Sequence, residues 1–216
     1  MQNNATVSNQ KIIFLVFFIS MALIAALFIV HLRQKPPSAT LAAKQGILFP
    51  VAREIKPFHL ITTDNQVFTQ MNLLHHWTLL FFGFTHCKNI CPITLAMLSR
   101  SYAILYPRYT TLQVAFVSLD PDHDSLARIK KYTHGFSPAF IGLTGKIEVL
   151  HQLQSQLGIF STPDPSGNTG LLHTASILLI NPQGRWAGLF NEGLTAEQFA
   201  NAFDQSMQAL SARSSR

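Results

Sequence analysis

Apolar segments of strand length alternate with segments of helical pattern along this 216-residue chain, and this alternation predicts an α/β fold built on a layered sheet. Three observations carry the prediction. Residues 77–84 (Trp-Thr-Leu-Leu-Phe-Phe-Gly-Phe) are a continuous apolar run, the pattern of a strand buried on both faces. Residues 112–119 form a second buried strand of the same kind. The only two cysteines, Cys87 and Cys91, directly follow the first run, and Pro92 after them suits the first turn of a helix.

The elements follow in order from the N-terminus. Residues 12–30 are apolar throughout except for Ser20. These 19 residues are long enough to cross a bilayer core at about 1.5 Å per residue. A cleaved signal peptide usually has an apolar region of only about 7–15 residues. The expected organisation is a tail at 1–11, an uncleaved N-terminal transmembrane helix at 12–32, a linker at 33–50 and one domain at 51–216. Pro36-Pro37 stiffens the linker. Lys11 flanks one side of the anchor, and His31, Arg33 and Lys35 the other, so charge alone leaves its orientation open.

Within the domain, residues 58–62 and 67–69 read as two short strands around an Asp64-Asn65 turn. The apolar run 77–84 and the cysteine motif come next, then a helix reaching toward Tyr106-Pro107. After the strand at 112–119, Asp120-Pro121-Asp122-His123-Asp124 forms a break, and Asp124 or Ser125 caps a helix to about Tyr132. A short strand is expected at 140–143, a helix at 146–157 ending at Gly158, and a Pro/Gly/Asn loop at 162–170. Residues 176–180 and 186–190 flank the hairpin turn Asn181-Pro182-Gln183-Gly184. Thr195-Ala196-Glu197-Gln198 is a capping box that opens a last helix to about Leu210. A dithiol at the junction of a buried strand and a helix points to the thioredoxin-like version of this fold.

Composition narrows the function. The net charge of +6 is scattered, and Lys130-Lys131 is the only adjacent basic pair. A nucleic-acid binder would show a basic stripe with interleaved aromatics, and none is present, so no nucleic-acid partner is expected. Two cysteines are too few for a disulfide-stapled scaffold. Their i, i+4 spacing puts both sulfurs on one face of a helix. Such a pair binds one metal ion, closes into a disulfide, or does each in turn. A helix start also favours thiolate, because the macrodipole and free N–H groups stabilise negative charge.

Copper(I) is soft and prefers thiolate, thioether and imidazole ligands. Nine histidines are candidates for a third ligand. His86 adjoins Cys87, but adjacency does not give the approach angle. His75 and His76 precede the buried strand and read as surface residues. His123 sits in an acidic turn, where capping is the plain explanation. His31, His59, His134 and His151 have no special context. His173 stands near the start of the strand at 176–180, in the stretch that packs against the dithiol of a thioredoxin-like sheet; an ordinary exposed loop histidine is the alternative. Asp120, Asp122 and Asp124 either attract metal or partner, or simply form the turn and cap the helix.

At this point a family resemblance enters. Residues 83–92 (Gly-Phe-Thr-His-Cys-Lys-Asn-Ile-Cys-Pro) resemble the signature of the SCO/SenC family, membrane-anchored copper proteins that assist cytochrome c oxidase assembly. Ser118-Leu119-Asp120-Pro121-Asp122-His123-Asp124 resembles the family's Ser-x-Asp-Pro-x-x-Asp stretch, and Gly142-Leu143-Thr144-Gly145 its Gly-Leu-Thr-Gly segment. His173-Thr174-Ala175-Ser176-Ile177 with Asn181-Pro182-Gln183-Gly184 resembles its histidine strand and turn. The resemblance covers about residues 55–205. It implies a copper ion held by Cys87, Cys91 and His173. It implies as partners a copper donor protein and the copper-site subunit of cytochrome c oxidase. It also implies a single-pass anchor in the inner membrane, with the domain in the periplasm or the mitochondrial intermembrane space.

Two features complicate that reading. Family members usually carry Pro-Asp after the first cysteine, where Lys88-Asn89 stands here. Lys88 is expected to lower the cysteine pKa values and to disfavour copper(II) more than copper(I); the alternative is that both side chains simply face solvent. The other feature is the dithiol itself, which suits a thiol-disulfide oxidoreductase acting on an oxidase subunit or another extracytoplasmic partner. Against a general exchanger, the spacing is Cys-x3-Cys rather than Cys-x2-Cys, and no proline precedes the facing strand. A peroxiredoxin-like peroxidase fits poorly, because Thr85 lies one residue too close to Cys87.

Overall fold

The structure is a computed structural model and describes residues 14, 17–25, 45–163, 171–173 and 175–214. It divides into two units, Met1–Leu41 and Ala42–Arg216. In the first unit, residues 17–25 are helical with exposed side chains, and Ser20 Oγ donates to the Phe17 carbonyl at 2.9 Å. No helix among the described residues is long and apolar enough to cross a membrane. The remainder of the anchor expected at 12–32 lies outside the described residues.

The second unit is built on an eight-stranded mixed sheet. Its strands are β1 (Gly46–Arg53), β2 (Leu60–Thr62), β3 (Val67–Phe68), β4 (Trp77–Gly83), β5 (Leu112–Ser118), β6 (Ile141–Thr144), β9 (Ile177–Ile180) and β10 (Trp186–Phe190). A separate pair, β7 (Ser161–Pro163) and β8 (Leu171–His173), forms a small antiparallel sheet. Among the described residues four α-helices complete the unit: α1 (Ile90–Leu105), α2 (Leu126–His134), α3 (Ile147–Gln156) and α4 (Ala196–Ser214). The main sheet runs β1-β10-β9-β4-β5-β6-β2-β3. β4, β5 and β6 are parallel neighbours, linked through α1 and α2, and the other pairs are antiparallel.

Period-two alternation explains why the central runs are continuously apolar. In β4, Leu79 and Phe81 enter one core while Leu80 and Phe82 enter the other; β5 divides Val114 and Phe116 from Ala115 and Val117 in the same way. The first core packs the sheet against Leu95, Leu98 and Leu105 of α1, Ile129 of α2, and Phe199 and Phe203 of α4. The second packs it against Leu150 and Leu153 of α3. Helices therefore cover both faces of the sheet. Each central strand buries on two sides, worth roughly 1.5–3 kcal/mol per fully buried large side chain.

The sheet reaches further than the sequence pattern shows. β1 begins at Gly46, inside the stretch read as linker, and pairs with β10. Arg53 lies 4.1 Å over the Phe49 ring and 5.2 Å over Trp186, holding this edge by cation–π contact. Part of the loop expected at 162–170 is instead β7, and His173 ends β8, opposite Ser161.

Candidate functional site

The cysteines sit where the parallel centre of the sheet ends. β4 stops at Gly83, the chain turns through residues 84–89, and α1 begins at Ile90. Cys91 is buried in the first core and Cys87 is partly exposed, and no disulfide joins them. The Cys91 backbone N–H donates to Cys87 Sγ at 3.4 Å, but Cys87 lies in the loop before α1, so the helix face expected to carry both sulfurs carries only Cys91. Lys88 and Asn89 are exposed, and Asn89 caps α1 without a side-chain hydrogen bond.

Burial decides the chemistry of Cys91. It pushes the thiol well above its ordinary range, and the neighbouring Cys87 pushes in the same direction. The helix start is expected to favour thiolate here, but desolvation outweighs that field at Cys91. Gly83 makes the burial possible. A Cβ at Gly83 would stand 2.9 Å from Cys91 Sγ and 2.9 Å from Phe116 Cε2, so only a hydrogen fits between strand and sulfur.

The acidic turn after β5 supports the cysteine loop. Asp124 is almost fully buried, and its carboxylate accepts from Thr85 N–H (2.9 Å), Thr85 Oγ1 (2.5 Å) and Ser118 Oγ (2.6 Å). Leu119 N–H donates to the Gly83 carbonyl at 2.8 Å. Asp124 thus ties the loop before Cys87 to the end of β5, while Ser125 caps α2 by accepting from Arg128 N–H at 3.3 Å. Sequence reasoning offered Asp124 as a cap or an attractant; its brace to Thr85 went unseen. The signal available was a carboxylate beside a buried strand end, with hydroxyl residues at both 85 and 118.

Asp120 engages His123, with Nδ1 2.8 Å from Oδ1, and this hydrogen bond raises the His123 pKa. His86 Nε2 lies 3.5 Å from Asp120 Oδ2, and its Nδ1 lies 3.8 Å from Asp124 Oδ1. His86 is therefore directed at the acidic turn. Among the described residues, no three His, Cys, Asp or Glu side chains are grouped to hold a metal ion. The side chain of His173, the third ligand expected from the sequence, lies outside the described residues.

Fold and site together define a thioredoxin-like domain with an asymmetric thiol pair at the strand-to-helix junction. Known proteins share this fold. The sequence profile of the SCO1/SenC family matches residues 50–208. The mitochondrial SCO2 homolog of Danio rerio is 32% identical over 158 residues, covering 71% of this chain and 57% of that protein. The crystal structure of yeast Sco1 with copper bound superposes with a TM-score of 0.66 at 28% identity, covering 72% of this chain and 89% of the yeast chain. That of Arabidopsis thaliana ScoI with copper bound gives 0.66 at 25% identity, covering 71% and 97%. The chain belongs to the SCO1/SenC family. Its match spans little more than half the length of the zebrafish relative.

Proposed function

We propose that this protein is a copper-binding assembly factor for cytochrome c oxidase. It holds copper through Cys87, Cys91 and His173 and delivers it to the binuclear copper site of the oxidase, anchored to the membrane by residues 12–32 with its domain on the extracytoplasmic side. The observation that carries the reading is the sulfur pair at the start of α1, joined by the Cys91 N–H to Cys87 Sγ contact, in a family where relatives at 25% and 28% identity were solved with copper bound. Two thiols present a soft donor set that suits copper(I). The cargo requires no turnover of a small substrate. It leaves by exchange of protein ligands for those of the acceptor, after a donor protein has supplied it.

The test is a copper(I) titration of the reduced protein against a competing chelator. His173→Ala should lose at least about tenfold in affinity, as removal of one ligand from a three-ligand site implies. Unchanged affinity would remove His173 from the site. Thiol-disulfide exchange is a second reading, favoured by the pairing of a partly exposed Cys87 with a buried Cys91. His173→Ala should spare exchange, whereas Cys87→Ser should abolish both activities.

A further inference from the structure

A cavity of about 450 Å³ opens beside the cysteine loop, lined chiefly by Thr85, His86, Arg128, Lys131, Tyr132 and Phe136. Neither cysteine lines it. Arg128, Lys131 and Tyr132 fall at i, i+3 and i+4 of α2, so one helix face supplies all three.

Two independent features mark the cavity as a site for a ligand. Arg128 and Lys131 have no carboxylate partner among the described residues, whereas Arg108 pairs with Asp204 and Lys130 with Asp64. No Asp or Glu lines the cavity, because nearby Asp124 is turned inward to Thr85 and Ser118. Finally, the Tyr132 and Phe136 rings meet edge to face at 5.3 Å and give the cavity an aromatic wall.

We infer that this cavity docks a segment of a protein partner in which an acidic side chain adjoins an apolar one. The carboxylate sits between Arg128 and Lys131, and the apolar neighbour rests on Tyr132 and Phe136. Charge complementarity selects this occupant: two unpaired cations border an apolar wall with no competing anion. Thr85 and His86 immediately precede Cys87, so a partner held here lies beside the thiol pair. That the partner is the acceptor of the metal rests on the function proposed above; the pocket itself does not.

The metal-free, reduced full chain is titrated into fluorescein-labelled acetyl-Glu-Phe-Glu-Leu-amide and its counterpart with Lys for both Glu, and anisotropy is read. The acidic peptide should bind saturably and more tightly than the lysine peptide, and binding should weaken with salt. Arg128→Glu/Lys131→Glu should weaken it about tenfold, the combined effect of losing two exposed charge pairs and gaining repulsion. Arg128→Gln/Lys131→Gln serves if charge reversal disturbs folding by circular dichroism. Absent binding, equal binding of both peptides, or indifference to the Arg128 and Lys131 changes would overturn the inference. Because no copper is used, that failure is distinct from failure of the copper titration.

Discussion

Cys87 lies in the loop before α1 and Cys91 in its first turn, and only Cys87 reaches solvent. The thiolate is the reacting species, and burial suppresses it at Cys91. In the reduced, metal-free protein, iodoacetamide should therefore modify Cys87 at least about tenfold faster than Cys91, measured by peptide mass mapping over time. The same burial has a stability consequence. An unfolded Cys91 releases its proton near the ordinary thiol value of 9.0, while the folded residue keeps it. The folded state then binds more protons, so stability falls as pH rises above that value, by up to about 1.4 kcal/mol per pH unit. Cys91→Ala should flatten this part of the stability profile between about pH 8 and pH 10, read from urea midpoints. Asp124 is the other decisive residue. Asp124→Ala leaves Thr85 and Ser118 without their shared acceptor and should cost about 3 kcal/mol in denaturant unfolding, loosening the loop that carries Cys87. Neither the burial of Cys91 nor the Asp124 brace was legible in the sequence, because both depend on a contact between the ends of β4 and β5. The cysteine spacing was legible, because it is local.

Elements followed their local signals closely. The strands around Asp64-Asn65, the two buried runs, the helix after the cysteines and the last hairpin all lie within a residue or two of their expected positions. The capping box forms as read: Thr195 N–H donates to Gln198 Oε1 at 3.0 Å, and Gln198 N–H donates to Thr195 Oγ1 at 3.2 Å. Thr195→Ala should lower stability by about 1 kcal/mol. In calorimetry this is a fall of about 2–4 °C in Tm. What local signals missed were elements defined by a partner. β1 has no strict alternation and becomes a strand because β10 pairs with it. β7 and β8 are three residues each and define one another.

At the scale of the whole molecule, the chain order of strands and helices predicted a layered α/β domain, and the helices do cover both sheet faces. The strand order could not be read, since nothing local tells β9 and β10 to join beside β4 rather than at the far edge. The edge itself offers a test. A Cβ at Gly188 would collide with the Ile47 carbonyl across the β1–β10 pair. Gly188→Val should free β1, seen as accelerated hydrogen exchange confined to residues 46–53, with exchange in β4 and β5 unchanged. The Gly83 contact has a wider consequence. The inner wall of the thiol loop admits no added atom, while Lys88 and Asn89 are exposed. Sequence drift through this motif is therefore one-sided: a library varied at all positions from 83 to 91 would return diversity at 88 and 89 and a single residue at 83.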